Sequence, residues 1–229
     1  MSAPAFGSPA VGDSAPAWRF ARVLRATFGK VLLAIYRVRV IHAENIPATG
    51  GFILAGNHVS YLDPALLWCV MPRETHFVAK SELFENKLLG WFLQSVWTMP
   101  ITRASADREA ITRATTLLTG GEPVGMFPEG TRRRPGAAAS DSLGEAHAGV
   151  AFIALRAGAP VVPVGIVGTD KALPAGAKVP RFPRVTIHIG QPVHPEDFTE
   201  GGRKEKLAAM TTEIMKRITT ARDGAGEAN

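Results

Sequence analysis

Short apolar runs, each bounded by glycine, proline or polar residues, recur along the chain at Phe52–Gly56, Thr75–Ala79, Trp97–Ile101, Val124–Phe127, Val161–Val167 and Val185–Ile189. Runs of this length bounded by turn residues read as buried strands. Stretches with helical spacing of apolar residues fall between several of them: Pro64–Val70, Leu83–Ser95, Asp107–Thr119 and Glu145–Arg156. Strands that alternate with helices predict an α/β fold, a single domain with a central, mostly parallel sheet flanked by helices. Lys204–Arg222 predicts a closing amphipathic helix, with residues 223–229 as a frayed tail. The domain that these elements build spans residues 42–222.

A different pattern precedes it. On a helix at about 100° per residue, Phe20, Leu24, Phe28, Val31, Leu32 and Ile35 fall in one sector, while Arg19, Arg22, Lys30 and Arg37 cluster opposite. Residues 18–41 thus predict an N-terminal amphipathic basic helix. Such a helix can lie in a bilayer interface, its cations near anionic headgroups; an ordinary helix packed on the domain with a solvated basic face is the other reading. Residues 1–17, rich in Ala, Pro, Gly and Ser, read as a disordered leader.

Charge sharpens this picture. The 229 residues carry 26 Lys+Arg and 20 Asp+Glu, a formal charge of +6. Trp18–Ile41 holds six of the cations (Arg19, Arg22, Arg25, Lys30, Arg37, Arg39) and no acid, so the rest of the chain is neutral. A neutral remainder without a second basic stripe argues against nucleic acid as a partner. No apolar run reaches the roughly 18 residues of a spanning helix. The one cysteine, Cys69, leaves no internal disulfide and no paired-cysteine metal site. There is no dinucleotide fingerprint, phosphate loop or HExxH, and His42, His76, His188 and His194 are scattered, so no cofactor or metal is expected.

The densest polar cluster is NHVSYLD, residues 57–63. On one helix His58 and Asp63 would lie about 140° apart. A strand end before His58 and a helix start at Asp63-Pro64 instead place a turn between them, which can fold the imidazole onto the carboxylate. Asp63 would then orient His58 as a general base. The alternative is that Asp63 only caps the helix and His58 is a turn residue. A second cluster, FPEGTRRR at 127–134, follows the run at Val124 and puts a carboxylate, a glycine, a hydroxyl and guanidiniums where open α/β sheets bind ligands. Arginine forks match phosphate oxygens, and Arg103 after the run ending at Ile101 could reach the same crevice. Basic groups from separate strand ends suggest a phosphate-bearing substrate.

With these blocks in order, the sequence resembles the 1-acyl-sn-glycerol-3-phosphate acyltransferase (lysophosphatidate acyltransferase) family of glycerolipid acyltransferases. His58 to Asp63 is similar to the family's His-x4-Asp block, Pro100-Ile101-Thr102-Arg103 to its second, Phe127 to Arg132 to its third and Val162-Pro163-Val164 to its fourth. The resemblance implies that His58, oriented by Asp63, removes the proton of an acceptor hydroxyl, which attacks the thioester of acyl-CoA or acyl-carrier protein without a covalent acyl-enzyme. It implies that Arg103, Glu129, Gly130, Thr131 and Arg132 bind the acceptor phosphate. It also implies a peripheral enzyme on the cytoplasmic face of the cell membrane, acting on 1-acyl-sn-glycerol 3-phosphate to give phosphatidic acid. Other lysophospholipids or glycerol 3-phosphate are alternative acceptors, and a non-catalytic lipid-surface binding protein is the alternative outside enzymology. The chain departs from the family at His147, where many members carry lysine.

Overall fold

Residues 21–96, 98–101, 106–128, 145–172 and 181–229 are described by a computed structural model. Among these residues seven strands form one sheet: β1 (Arg39–Ile41), β2 (Ile53–Gly56), β3 (His76–Lys80), β4 (Met99–Ile101), β5 (Val124–Met126), β6 (Val161–Val167) and β7 (Thr186–Ile189). Their order is β1-β7-β6-β2-β5-β3-β4. Every neighbouring pair is parallel except β6 and β7, which are antiparallel. The helices are α1 (Lys30–Ile35), α2 (Leu62–Val70), α3 (Lys87–Ser95), α4 (Ala106–Thr119), α5 (Glu145–Ala157) and α6 (Arg203–Glu227).

The apolar runs lack alternation because both sheet faces are covered. In β2, Leu54 points with Phe52 into one core, and Ile53 and Ala55 point into the other. β6 divides likewise, with Val162, Val164 and Ile166 on the first side and Val161 on the second. The first core takes Leu66, Leu67 and Trp68 of α2, Val96 at the end of α3, and Leu32 and Leu33 of α1. The second takes Ala114 and Leu118 of α4, Val150, Ile153 and Ala154 of α5, and Met210, Ile214 and Ile218 of α6. Gly165 lets α6 lie directly on β6, since a Cβ there would sit 2.1 Å from the Arg222 backbone nitrogen.

Two expected boundaries change. The basic segment is not one helix through residue 41. It is helical from Ala21, passes through a π turn at Arg25–Gly29 into α1, and turns at Tyr36; Arg39–Ile41 is then strand β1, paired with β7. The β-branched Val40 and Ile41 complete a sheet edge, a use that helical periodicity does not detect. The C-terminal tail is not frayed, because α6 runs to Glu227 and buries Ala221 and Ala225. Small residues in the sequence DGAGEAN allow that close approach, and Thr186 donates to Asn229 Oδ1 at 3.1 Å.

The apolar sector of the N-terminal helix is also divided. Leu24 and Leu32 turn inward onto the first core, whereas Phe28, Val31 and Ile35 are exposed. Several of its cations are tied to the body: Arg25 donates to the Met71 carbonyl, Arg37 to that of Phe182, and Arg22 lies 3.9 Å from Glu74.

Candidate active site

The site forms at the carboxyl ends of three adjacent parallel strands, β6, β2 and β5. The chain leaves β2 through α2 on one face and leaves β5 through α5 on the other. Connections that part to opposite faces open a crevice between those strand ends, the place where such sheets bind ligands. His58 leaves β2 and Phe127 leaves β5, and their rings stack across this point at 4.3 Å with 23° between planes. Phe77 of β3 extends the aromatic wall, 6.4 Å from Phe127.

His58 and Asp63 meet as the turn reading requires. Nδ1 lies 2.9 Å from Asp63 Oδ2, and the carboxylate is fully buried while the imidazole keeps 17% of its surface exposed. The same Oδ2 accepts the backbone N–H groups of Val59 and Ser60, each at 2.7 Å. An oxygen already facing two fixed donors is an acceptor, so Nδ1 carries the proton and Nε2 presents a lone pair. The capping alternative is therefore only partly realised. Tyr61, not Asp63, is the N-cap of α2, and Asp63 in the first turn serves the backbone of the preceding turn and the imidazole together. Ser60 accepts from the Leu62 N–H at 3.3 Å, as a turn residue does.

Two contacts join this turn to β6. Asn57, buried, donates from Nδ2 to the Ile166 carbonyl at 2.9 Å and accepts the Ile166 N–H at 2.7 Å. Thr169 donates its hydroxyl to Asp63 Oδ1 at 2.6 Å. Thr169 escaped the sequence reading because it is 106 residues from Asp63 and belongs to no polar cluster. Its one local signal is Gly168, which closes the longest apolar run. The stacking of Phe127 was equally illegible, although the residue heads the second cluster. Val162, Pro163 and Val164, the fourth block, form the part of β6 that pairs with Leu54, Ala55 and Gly56 and so build the wall beside His58.

Arg103, Glu129, Gly130, Thr131 and Arg132 lie outside the described residues. The described residues that lead to them, Ile101 ending β4 and Pro128 after β5, stand at this same edge of the sheet. Cys69 offers no nucleophile: burial pushes its thiol up to about 11, and the nearby Arg25 charge offsets only part of that. Among the described residues no group of three or more His, Cys, Asp or Glu is placed to hold a metal ion.

A family model described as Acyltransferase matches residues 37–167, which include the whole turn from Asn57 to Asp63. The chain is 35% identical over 191 residues to the 1-acyl-sn-glycerol-3-phosphate acyltransferase of Bacillus subtilis, covering 82% of this chain and 90% of that one. It is 31% identical over 148 residues to the lyso-ornithine lipid O-acyltransferase of Pseudomonas aeruginosa, covering 58% of this chain and 55% of that one. The crystal structure of the 1-acyl-sn-glycerophosphate acyltransferase PlsC from Thermotoga maritima superposes with a TM-score of 0.63 at 27% identity, over 90% of this chain and 82% of that chain.

Proposed function

Because the chain belongs to the 1-acyl-sn-glycerol-3-phosphate acyltransferase family and is an acyltransferase, we propose that it moves a fatty acyl group to the sn-2 hydroxyl of 1-acyl-sn-glycerol 3-phosphate, giving phosphatidic acid, with His58 as general base. The donor in this reading is the thioester of acyl-CoA or acyl-carrier protein. The observation that carries it is the hydrogen bond from His58 Nδ1 to a carboxylate oxygen that two backbone N–H groups already hold, which leaves Nε2 free to take a proton.

The acceptor hydroxyl gives its proton to Nε2 as its oxygen attacks the thioester carbonyl. Asp63, with no solvent around it, stabilises the imidazolium that results. The C–S bond then breaks, and the imidazolium returns the proton to the departing thiolate. Arg103 and the stretch Glu129, Gly130, Thr131 and Arg132 hold the acceptor phosphate, because guanidinium forks and backbone N–H groups beside a glycine suit its oxygens. The step needs no cofactor beyond the thioester donor.

A lipid acceptor requires contact with a bilayer, and the distribution of exposed apolar side chains supports one. Among the described residues, Phe28, Val31 and Ile35 at the N-terminal helix, Tyr61 before α2, and Trp91 and Phe92 of α3 are exposed, whereas α4, α5 and α6 expose no large apolar side chain. Helices α1 to α3 share one sheet face, which in this reading lies on the anionic membrane surface at the cytoplasmic side. No helix among the described residues is long and apolar enough to cross a membrane.

A second reading keeps the chemistry and changes the acceptor to another lyso-lipid. It is favoured by the similarity to the Pseudomonas enzyme and by His147 in place of the lysine that many family members carry. A panel of lyso-lipid acceptors with purified protein and radiolabelled acyl-CoA, resolved by lipid chromatography, separates the two. Labelled phosphatidic acid as the main product upholds the first reading, and label confined to another lipid overturns it.

A further inference from the structure

Thr169 is fully buried and touches the Asp63 carboxylate, and the proposed proton transfer does not use it. The geometry points to Thr169 as a positioning residue for the His58–Asp63 pair: its hydroxyl fixes the rotation of the Asp63 carboxylate that aims Oδ2 at His58 Nδ1. The assignment rests on His58 being the base.

The partners of the two carboxylate oxygens differ in kind. Oδ2 faces Val59 N–H, Ser60 N–H and His58 Nδ1, all within the turn that must itself be held in place. Oδ1 receives the Thr169 hydroxyl, which comes from the turn just beyond the end of β6, an interior strand of the sheet. A carboxylate can rotate about its Cβ–Cγ bond, and donors on a short loop can move with it. A donor anchored on the sheet cannot. Bulk solvent does not reach Asp63, which has no exposed surface, and a buried oxygen that loses its donor is costly.

The position of Thr169 is imposed by the backbone. Gly168 has φ +101, and a Cβ on it would lie 2.2 Å from the Arg184 carbonyl oxygen, so only glycine makes this corner unstrained. A 3-10 turn, Thr169–Lys171, begins directly after it. Three residues before Thr169, Ile166 grips Asn57 through both backbone groups. The exit of β6 thus holds the chain just before His58 and, through Thr169, at Asp63.

The test compares kcat, KM and the pH profile of acyl transfer for the full chain and for Thr169→Val, Thr169→Ala, Thr169→Ser and His58→Ala. Thr169→Val keeps the shape and removes the donor. Its kcat is expected to fall about tenfold or more with the acceptor KM near the parent value, since small misplacements of a base are felt in the chemical step. Without the Thr169 donor, the charge on Asp63 attracts protons more strongly, so the acid limb of kcat/KM moves to higher pH. Thr169→Ser should recover most of kcat. If Thr169→Val fails to fold, Thr169→Ala and Thr169→Ser decide, because they differ only in the hydroxyl: loss confined to Ala upholds the assignment, and equal kcat overturns it. A Thr169→Val enzyme within about threefold of the parent, with an unmoved acid limb and an inactive His58→Ala, overturns the role of Thr169 and leaves the base intact. An active His58→Ala removes the base, and Thr169 with it.

Discussion

Asn57 exchanges both hydrogen bonds of its side-chain amide with one residue, Ile166. The ladder between β2 and β6 ends at Gly56 and Val164, and the amide supplies the next rung where the backbone turns away. A peptide-like group does this well, since it carries one donor and one acceptor at the spacing of a strand. Asn57→Ala should leave the Ile166 N–H and carbonyl unsatisfied in the interior and destabilise the fold by about 2–4 kcal/mol. Urea denaturation of the variant and parent measures the difference, and a loss under about 0.5 kcal/mol would show that the rung is dispensable.

Asp63→Asn separates charge from geometry. The Val59 and Ser60 N–H groups select the amide oxygen for the Oδ2 position, so the Nδ1–H hydrogen bond and the tautomer of His58 survive. What disappears is the charge that, in the proposed mechanism, stabilises the imidazolium. We expect kcat to drop about a hundredfold or more, near the loss in His58→Ala, with a melting temperature close to the parent's. Activity within about tenfold of the parent in either variant would remove the pair from the mechanism.

Phe28, Val31 and Ile35 follow helical spacing and are 56%, 53% and 43% exposed. Replacing all three with serine removes apolar surface on the order of 1 kcal/mol per side chain from a bilayer contact. Vesicle flotation with anionic lipid should then show binding weakened roughly a hundredfold. Unchanged binding would assign the membrane contact to another surface.

Histidine 76 makes stability pH-dependent. Burial holds its imidazole down at about 4 in the folded protein, against 6.5 as its ordinary value. Between these two values the unfolded chain binds the extra proton, so stability is complete above about pH 6.5 and declines as pH falls toward 4, by a total on the order of 3 kcal/mol. Glu122, 3.8 Å from the ring, has its carboxyl raised chiefly by burial, so its protonation opposes the decline at the acidic end. His76→Gln removes the histidine contribution. Melting temperatures recorded from pH 7 to pH 4 should fall less steeply in the variant, and parallel curves would place the acid sensitivity elsewhere.

Much of this molecule is legible in its sequence. The strands at Val161 and Val124 and the helices at Ala106 and Glu145 lie where apolar runs and helical spacing place them, because strands covered on both faces and helices packed on one face leave distinct periodicities. The His58–Asp63 pairing is legible too, since only five residues and one turn separate the two. The N-terminal segment misleads in part. Its helical spacing of apolar groups stops at Ile35, and the residues after it have an open sheet edge beside β7 to fill; pairing with that edge satisfies their backbone as a helix end would not.

By itself the sequence determined the α/β class, the polar turn that brings His58 onto Asp63, and the confinement of net charge to one segment, all of which are local patterns. Only the tertiary structure decided that Thr169 completes the Asp63 carboxylate, that Asn57 docks on Ile166, that Phe127 stacks on His58, and that the apolar sector of the first helix divides between core and surface. These depend on which strands become neighbours. The order that sets β6 and β5 on either side of β2 follows from packing two helical layers on one twisted sheet, and no window of residues along the chain contains it.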